Sequence, residues 1–177
     1  MNTLICPHLQ PVETLHTNPW FALRNRGGYY TIEESEAQGA ILPIVERHWV
    51  VMVRVKRPLI NDCPLELPAG GIARNLETPQ QGMRRELEEE TGIFIDNLAR
   101  IEPLHALSIF PNRHPCRISL FQVDLTQEEF DNRKPPDDEI EEVVLLSRKQ
   151  LTQMIQSGEI YVMLAVAVIS RWLLEPI

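Results

Sequence analysis

The sequence predicts an α/β layered sandwich with a mixed sheet and a small N-terminal β extension. Helical segments alternate with a mixed set of short β-rich runs, which is typical of layered α/β folds. The chain has 177 residues, 44% hydrophobic and 24% charged, which suits one globular domain able to bury its own core. We divide it into an N-terminal arm and β extension over 1–38 and a main domain over 39–177.

The first half of the chain contains two hairpin signals. Residues 1–18 carry several prolines and no sustained period, which predicts a loose or extended arm. Residues 20–34 mix aromatic side chains with Gly27 and Gly28 and predict a hairpin. Residues 40–45 and 49–55 are β-rich runs separated by three polar residues, and they predict a second hairpin that enters the core.

A helix with clear boundaries follows a glycine turn at residues 66–71. Thr78 is a good N-cap, with Pro79 at the first helical position and Gln81 completing a capping box. Gly92 is a typical C-terminal stop. Met83 and Leu87 are spaced to face the core. The remaining predicted elements are strands at 106–109, 117–123 and 143–146, an acidic loop at 135–142, and helices at 148–156 and 162–174.

Charge and cysteine usage exclude several classes of protein. A formal net charge of −8 argues against non-specific binding to nucleic acid or to an anionic membrane. If the protein handles phosphates, bound cations must offset this charge. Three cysteines without paired spacing argue against a disulfide framework or a zinc site. The N-terminal residues do not resemble a signal peptide, and the longest apolar run falls short of the roughly 20 residues of a membrane helix. We therefore expect a cytoplasmic protein.

Carboxylates cluster on one face of the predicted helix. Glu86 and Glu90 are four residues apart, Glu89 borders the same face, and Glu77 precedes the N-cap. Such a cluster is tolerated when it is solvated, paired with cations or bound to metal. Oxygen ligands at this density suit Mg²⁺, with Mn²⁺ as a possible substitute. The alternative is a solvated surface, the usual meaning of a glutamate-rich helix face.

The full spacing of the segment distinguishes these alternatives. It fits the pattern G-x5-E-x7-R-E-U-x-E-E-x-G-U, where U is apolar. The fixed positions are filled by Gly71, Glu77, Arg85, Glu86, Leu87, Glu89, Glu90, Gly92 and Ile93. This pattern resembles the motif of the Nudix hydrolases, and the resemblance implies a Nudix-type α/β/α sandwich for residues 39–177.

The resemblance also implies roles for individual residues. Glu86 and Glu90 would bind divalent metal directly, and Glu89 directly or through water. Arg85 and Glu77 would orient this cluster. A backbone carbonyl of the glycine turn is a further expected ligand. The stretch before Glu77 is about one residue longer than in many relatives, so Gly71 or Gly70 is the counterpart of the first motif glycine. The carbonyl of Ala69 and that of Gly70 are therefore both candidates.

Three further runs, ELPAGG, PPDDEIEEVVLLS and MIQSGEI, resemble the ADP-ribose and ADP-sugar pyrophosphatase group. That resemblance implies a small-molecule nucleotide substrate and a homodimer formed with help from the N-terminal region. It also implies an acidic residue on the late loop that acts as a base or as a further metal ligand, with Glu139 as the first candidate, Glu142 as the second and Asp138 as the third. A solvated connector is the alternative for each.

Basic residues outside the motif are candidates for substrate binding. Arg54 and Arg57, with Lys56 between them, could hold phosphates, but their alternation along a strand equally suits a solvent face. Arg113 lies in a loop, Pro111–Pro115, that differs from the corresponding loop of many ADP-ribose enzymes, and it could meet an extra phosphate or another sugar.

The expected function is Mg²⁺-dependent hydrolysis of the pyrophosphate of a nucleoside diphosphate linked to another group. ADP-ribose would give AMP and ribose 5-phosphate. ADP-ribose or an ADP-sugar is the expected substrate. The alternative is a Nudix hydrolase of another substrate, namely GDP-mannose, NADH, coenzyme A or a dinucleoside polyphosphate. A different class is a Nudix-fold sensor that binds a nucleotide sugar without cutting it. Such proteins normally lose a motif glutamate, and this chain has kept all of them.

Overall fold

The computed structural model describes residues 6–175. The strands in this range are β1 (Val12–Thr17), β2 (Phe21–Arg26), β3 (Tyr29–Glu34), β4 (Ala37–Val45), β5 (Trp49–Val55), β6 (Leu65–Glu66), β7 (Ala69–Ile72), β8 (Glu102–Leu107), β9 (Ile118–Leu125) and β10 (Ile140–Ser147). The helices are α1 (Pro79–Thr91), α2 (Gln127–Asp131), α3 (Arg148–Ser157) and α4 (Met163–Leu174).

The N-terminal strands form a separate antiparallel sheet in the order β1-β2-β3. The predicted hairpin is confirmed, with Gly27 and Gly28 both at positive φ in its turn. Within the predicted loose or extended arm, Val12–Thr17 is extended, but it pairs with β2 as a third strand, which was not predicted. Residues 1–5 lie outside the described range. Every residue of β1 is exposed, so no alternation of apolar and polar residues marks this strand in the sequence.

The main sheet is mixed, as predicted. Its order is β10-β5-β4-β9-β8, with β6 on β5 and β7 on β4. The β4–β9 pair is parallel, whereas the other pairs are antiparallel. The short strand β7 pairs with the first half of β4, and this pairing fixes the glycine turn beside that part of the sheet.

Helices cover both faces of the main sheet, which confirms the α/β/α sandwich. Neighbouring residues of β5 point to opposite faces because a strand alternates its side chains. Met52 belongs to the core under α3 and α4, which includes Leu151 and Ile169. Val51 belongs to the core under α1, which includes Leu87.

Helix α1 has the predicted boundaries. Thr78 accepts a hydrogen bond from the Gln81 amide, and the Gln81 side chain accepts one from the Thr78 amide, so the capping box is complete. Gly92 ends the helix in the left-handed conformation at φ 74°. Met83 and Leu87 are both fully buried, which confirms the predicted core face.

Two predictions need correction, and one element was not predicted. The strand predicted at 106–109 is Glu102–Leu107, which pairs with β9 despite Pro103. The acidic loop ends at residue 139, because Ile140 and Glu142 already pair with β5. The helix α2 was not predicted, although Thr126 and Glu129 form a capping box that signals it. Within the described range, no helix is long and apolar enough to cross a membrane.

Candidate active site

The glycine turn lies directly against helix α1. A side chain at Gly70 would overlap the carboxylate of Glu86, so a larger residue at this position would require Glu86 to move. The Ala69 amide donates a hydrogen bond of 3.2 Å to Oε2 of Glu90. The Gly71 carbonyl accepts a hydrogen bond of 2.7 Å from Arg85. Of the two motif glycines considered, Gly70 is therefore the one that touches a motif carboxylate, and Gly71 holds the motif arginine.

Arg85 connects the motif carboxylates. Its guanidinium is 2.7 Å from Glu86, 2.9 Å from Glu89 and 3.0 Å from Glu77. The hydrogen bond with Glu77 is the main reason that the pKa of Arg85 is raised, and the same bond lowers the pKa of Glu77. Glu77 also accepts a hydrogen bond of 2.8 Å from the amide of Ala73, so this carboxylate is fixed from both sides. The geometry brings together the residues that the motif predicts to orient the cluster.

Burial raises the pKa values of the two inner glutamates. Burial is the main cause for Glu86, partly offset by the hydrogen bond from Arg85. For Glu90 burial raises the pKa to about 8, and the nearby charge of Glu86 adds to the effect of burial. A carboxylate in such a place gains strongly from a nearby cation, because the cation restores the stabilisation that water would have provided.

The acidic loop faces this cluster across a cleft of about 570 Å³. The cleft is lined by Glu86, Glu89, Glu90, Pro136, Asp137, Asp138, Glu139 and Ile140. Six carboxylates and no basic side chain line it, so the electrostatic potential in the cleft is strongly negative without bound cations. A phosphate-bearing substrate would be repelled unless cations entered with it.

Backbone hydrogen bonds attach the acidic loop to α1. The Lys134 amide donates to the Gly92 carbonyl at 3.0 Å, and the Asp137 amide donates to the Glu89 carbonyl at 2.9 Å. A side chain at Gly92 would overlap the Lys134 carbonyl. Gly92 therefore has two functions in the fold. It ends the helix, and its lack of a side chain allows the loop that faces the motif glutamates to pack against the end of α1.

Two of the three candidate bases lie in the cleft, and the third does not. Glu139 and Asp138 line the cleft. Glu142 lies in β10, and its carboxylate accepts a hydrogen bond of 3.3 Å from Arg54. Asp137 also lines the cleft, and the sequence reasoning did not single it out. The Pro-Pro-Asp-Asp run was the available signal, but sequence alone does not tell which carboxylate of a loop faces inward.

The three candidate substrate-binding arginines are also separated. Arg57 forms two hydrogen bonds with Glu66, at 2.8 Å and 3.0 Å, and these raise its pKa, with smaller contributions from the charges of Glu90 and Glu139. Arg57 does not line the cleft, but the charges of Glu90 and Glu139, which do line it, act on Arg57. Arg54 forms ion pairs with Glu142 and Glu159.

Arg113 belongs to a different part of the molecule. It lines a second cavity of about 630 Å³ together with Tyr29 and Thr31 of the N-terminal sheet, and it does not line the cleft of the motif glutamates. The neighbouring His114 lies 2.8 Å from Glu34, so this loop packs on β3.

The residues of the cleft fit a hard divalent cation. All the side-chain donors are carboxylate oxygens, which Mg²⁺ and Mn²⁺ prefer. Because Gly70 has no side chain, the Glu86 carboxylate can lie directly against the glycine turn, close to the carbonyls of Ala69 and Gly70 that are candidate ligands. Among residues 6–175, no three acidic, histidine or cysteine side chains are arranged to hold a metal ion, because Glu86 and Glu89 contact Arg85 and Glu90 contacts the Ala69 amide. Cation binding would require these side chains to exchange partners.

Comparison with known proteins identifies the class to which this fold and site belong. The family model described as NUDIX domain matches residues 36–164, which contain the glycine turn, α1 and the acidic loop. The chain belongs to the Nudix family, which confirms the resemblance inferred from the motif.

Individual relatives are more distant. The ADP-ribose pyrophosphatase of Bacillus subtilis (strain 168) is 25% identical over 122 residues, covering 69% of this chain and 64% of that protein. The ADP-sugar pyrophosphatase of Mus musculus is 31% identical over 120 residues, covering 63% of this chain and 53% of that protein. Both matches cover less than two thirds of the relative.

A solved structure of an ADP compounds hydrolase superposes with a TM-score of 0.69. The two chains are 18% identical, and the superposition covers 93% of this chain and 92% of that one. At this identity the likeness shows a shared fold.

Proposed function

We propose that this protein hydrolyses the pyrophosphate of a nucleoside diphosphate linked to another group, with Mg²⁺ or Mn²⁺ as cofactor. The observation that carries the proposal is the cleft in which the motif glutamates of α1 face the carboxylates of the acidic loop. One wall offers ligands for cations that bind pyrophosphate oxygens, and the other wall offers a base for the attacking water.

Each residue would have a defined role. Glu86, Glu90 and Glu89 would hold the divalent cations, together with a backbone carbonyl of Gly70 or Ala69. Such cations neutralise phosphate oxygens and lower the pKa of bound water. Arg85 would keep Glu86 and Glu89 in place, as its two hydrogen bonds to them indicate.

The base would be a carboxylate that faces the cleft. Glu139 is the first candidate because it lines the cleft, and Asp138 shares this position. Glu142 is disfavoured because it pairs with Arg54. Arg57 is the candidate for contact with substrate phosphates, since it lies close enough to Glu90 and Glu139 for their charges to affect its pKa.

ADP-ribose or an ADP-sugar is the substrate class that we propose. The proposal is supported by the similarity of this chain to an ADP-ribose pyrophosphatase and to an ADP-sugar pyrophosphatase. The chain matches 64% and 53% of the length of these relatives.

The test is release of a phosphatase-sensitive monophosphate with and without Mg²⁺. The substrates would be ADP-ribose, ADP-glucose, GDP-mannose, NADH, coenzyme A, diadenosine polyphosphates and nucleoside triphosphates. Mg²⁺-dependent cleavage of ADP-ribose or ADP-glucose would support the proposal in full. Cleavage of another compound would keep the reaction and change the substrate. Metal-independent binding without cleavage would refute the hydrolase and favour the sensor.

We further propose that the chain forms a homodimer through its N-terminal sheet. The support is the exposed apolar surface of that sheet, where Trp20 is 74% exposed and Tyr29 is 60% exposed. Light scattering of the wild type and of a Trp20→Ser variant would test it, and a monomeric wild type would refute it. A cytoplasmic location is also proposed, and the free state of Cys6, Cys63 and Cys116 is compatible with it.

A further inference from the structure

The acidic loop is attached at its far side by a lysine that the motif does not contain. Lys56 follows β5, and its amide donates to the Glu139 carbonyl at 3.0 Å, extending the pairing of β5 with β10. Its ammonium group donates to the Asp138 carbonyl at 3.0 Å. One residue therefore contacts two consecutive carbonyls of the loop that faces the motif glutamates.

A β-bulge supplies the partner that orients this lysine. The pairing of β10 with β5 shifts register between Ile140 and Glu142, which leaves Glu141 without a partner across the ladder. The Glu141 carboxylate lies 3.4 Å from the Lys56 ammonium. A bulge of this kind redirects a side chain next to a functional site. Here it directs Glu141 towards the lysine.

Lys56 and α1 hold consecutive residues of the loop. The Asp137 amide is bonded to α1, and the Asp138 carbonyl is bonded to Lys56. The side chains of Asp138 and Glu139 are both exposed to solvent, so little packing opposes their displacement. Polar contacts to the backbone must therefore set the distance between this loop and α1.

We propose that Lys56 is a positioning residue for hydrolysis, which fixes the backbone of Asp138 and Glu139 so that the base faces the motif glutamates. This inference rests on the proposed function. Direct phosphate binding by Lys56 is disfavoured, because its ammonium is already engaged by the Asp138 carbonyl and the Glu141 carboxylate. Glutamate and carbonyl partners hold it on the loop side of the cleft.

The chain offers a matched control for the charge change. Lys149 is an exposed lysine on α3, away from the loop. The Lys56→Met and Lys149→Met variants lose the same charge and keep similar volume. The Lys56→Arg variant keeps a charged donor and tests rescue. Because Lys56 is 51% exposed, all three variants should keep the melting temperature of the wild type.

The first measurement is steady-state kinetics with Mg²⁺ and the substrate found for the wild type. We expect Lys56→Met to lower kcat about tenfold, because a misplaced catalytic group slows the chemical step. KM should stay within about twofold, since the substrate is not contacted. Lys56→Arg should recover most of kcat, and Lys149→Met should match the wild type. A raised KM with unchanged kcat would overturn the proposal in favour of phosphate binding.

The second measurement, amide hydrogen exchange, does not depend on activity. The Asp137 amide is bonded to the Glu89 carbonyl and the Ile140 amide to the Asp137 carbonyl. In Lys56→Met both should exchange at least about threefold faster, because the loop opens more often. Unchanged exchange would overturn the proposal even if kcat fell.

The two measurements also distinguish failure of this inference from failure of the proposed function. If the wild type cleaves no substrate, the proposed function fails and the catalytic role of Lys56 fails with it. Faster exchange in Lys56→Met would still show that Lys56 holds the acidic loop in place.

Discussion

Replacing Gly92 by alanine separates the two functions that the structure gives this residue. A left-handed backbone at φ 74° costs about 1–2 kcal/mol for a residue with a side chain. The new methyl group would also overlap the Lys134 carbonyl and break the hydrogen bond from Lys134 to Gly92. Overpacking and a lost hydrogen bond together add about 2 kcal/mol.

Gly158 is the matched control for this experiment. It ends α3 with φ 81°, and no other atom lies within 4 Å of the position of an added methyl group. Gly158→Ala therefore carries the backbone cost alone, and the small gain from a stiffer unfolded chain cancels in the comparison. We expect Gly92→Ala to be less stable than Gly158→Ala by about 2 kcal/mol, which is a melting temperature lower by about 4–8 °C.

Urea unfolding of both variants measures the stability difference, and kinetics with Mg²⁺ measure its functional consequence. Gly92→Ala should also lower kcat about tenfold, because the displaced loop carries the candidate base. Gly158→Ala should leave kcat unchanged. Equal loss of stability in the two variants would refute the reasoning, because the contact with Lys134 would then contribute nothing.

Two further perturbations test the chemistry and the N-terminal sheet. Glu90→Gln should lower kcat at least about 100-fold in steady-state assays, because it removes a metal ligand. Its melting temperature should equal or exceed that of the wild type, since burial disfavours the Glu90 charge; wild-type activity would contradict the metal assignment. Glu33 is 3% exposed, and although burial opposes ionisation, hydrogen bonds from Arg26, Thr31 and Arg24 lower its pKa to about 2. Because the pKa of Glu33 is lower in the folded than in the unfolded state, its ionisation stabilises the fold above pH 4.5, the ordinary pKa of a glutamate. This stabilisation, about 3 kcal/mol of the free energy of unfolding, is lost as the pH falls towards 2. Urea unfolding at pH 7 and pH 3 should show a smaller loss for Glu33→Gln than for wild type, and equal losses would contradict the assignment.

The helix of the motif was predictable because its determinants are local. Thr78, Pro79 and Gln81 define its start within four residues, and Gly92 defines its end. The spacing of Glu86 and Glu90 places them on one face before any tertiary contact is known. The acidic loop was recognised by composition, but its last residues were assigned to the loop instead of to β10. Alternation there is weak, since only Ile140 and Leu146 of the strand are buried.

The sequence by itself determined the family, the boundaries of α1 and the identity of the motif carboxylates, because each depends on residues close together in the chain. It also determined the layered fold class, because the order of helical and β-rich segments along the chain indicates it. The tertiary structure alone decided which acids line the cleft, that Gly70 lies against Glu86, and that Arg113 lies outside the cleft. It also placed Lys56 beside the acidic loop, 82 residues away from Asp138. These relations depend on the pairing of β5 with β10 and on the approach of a loop to a glycine. Such long-range contacts are fixed by the packing of the whole sheet, and no local pattern encodes them.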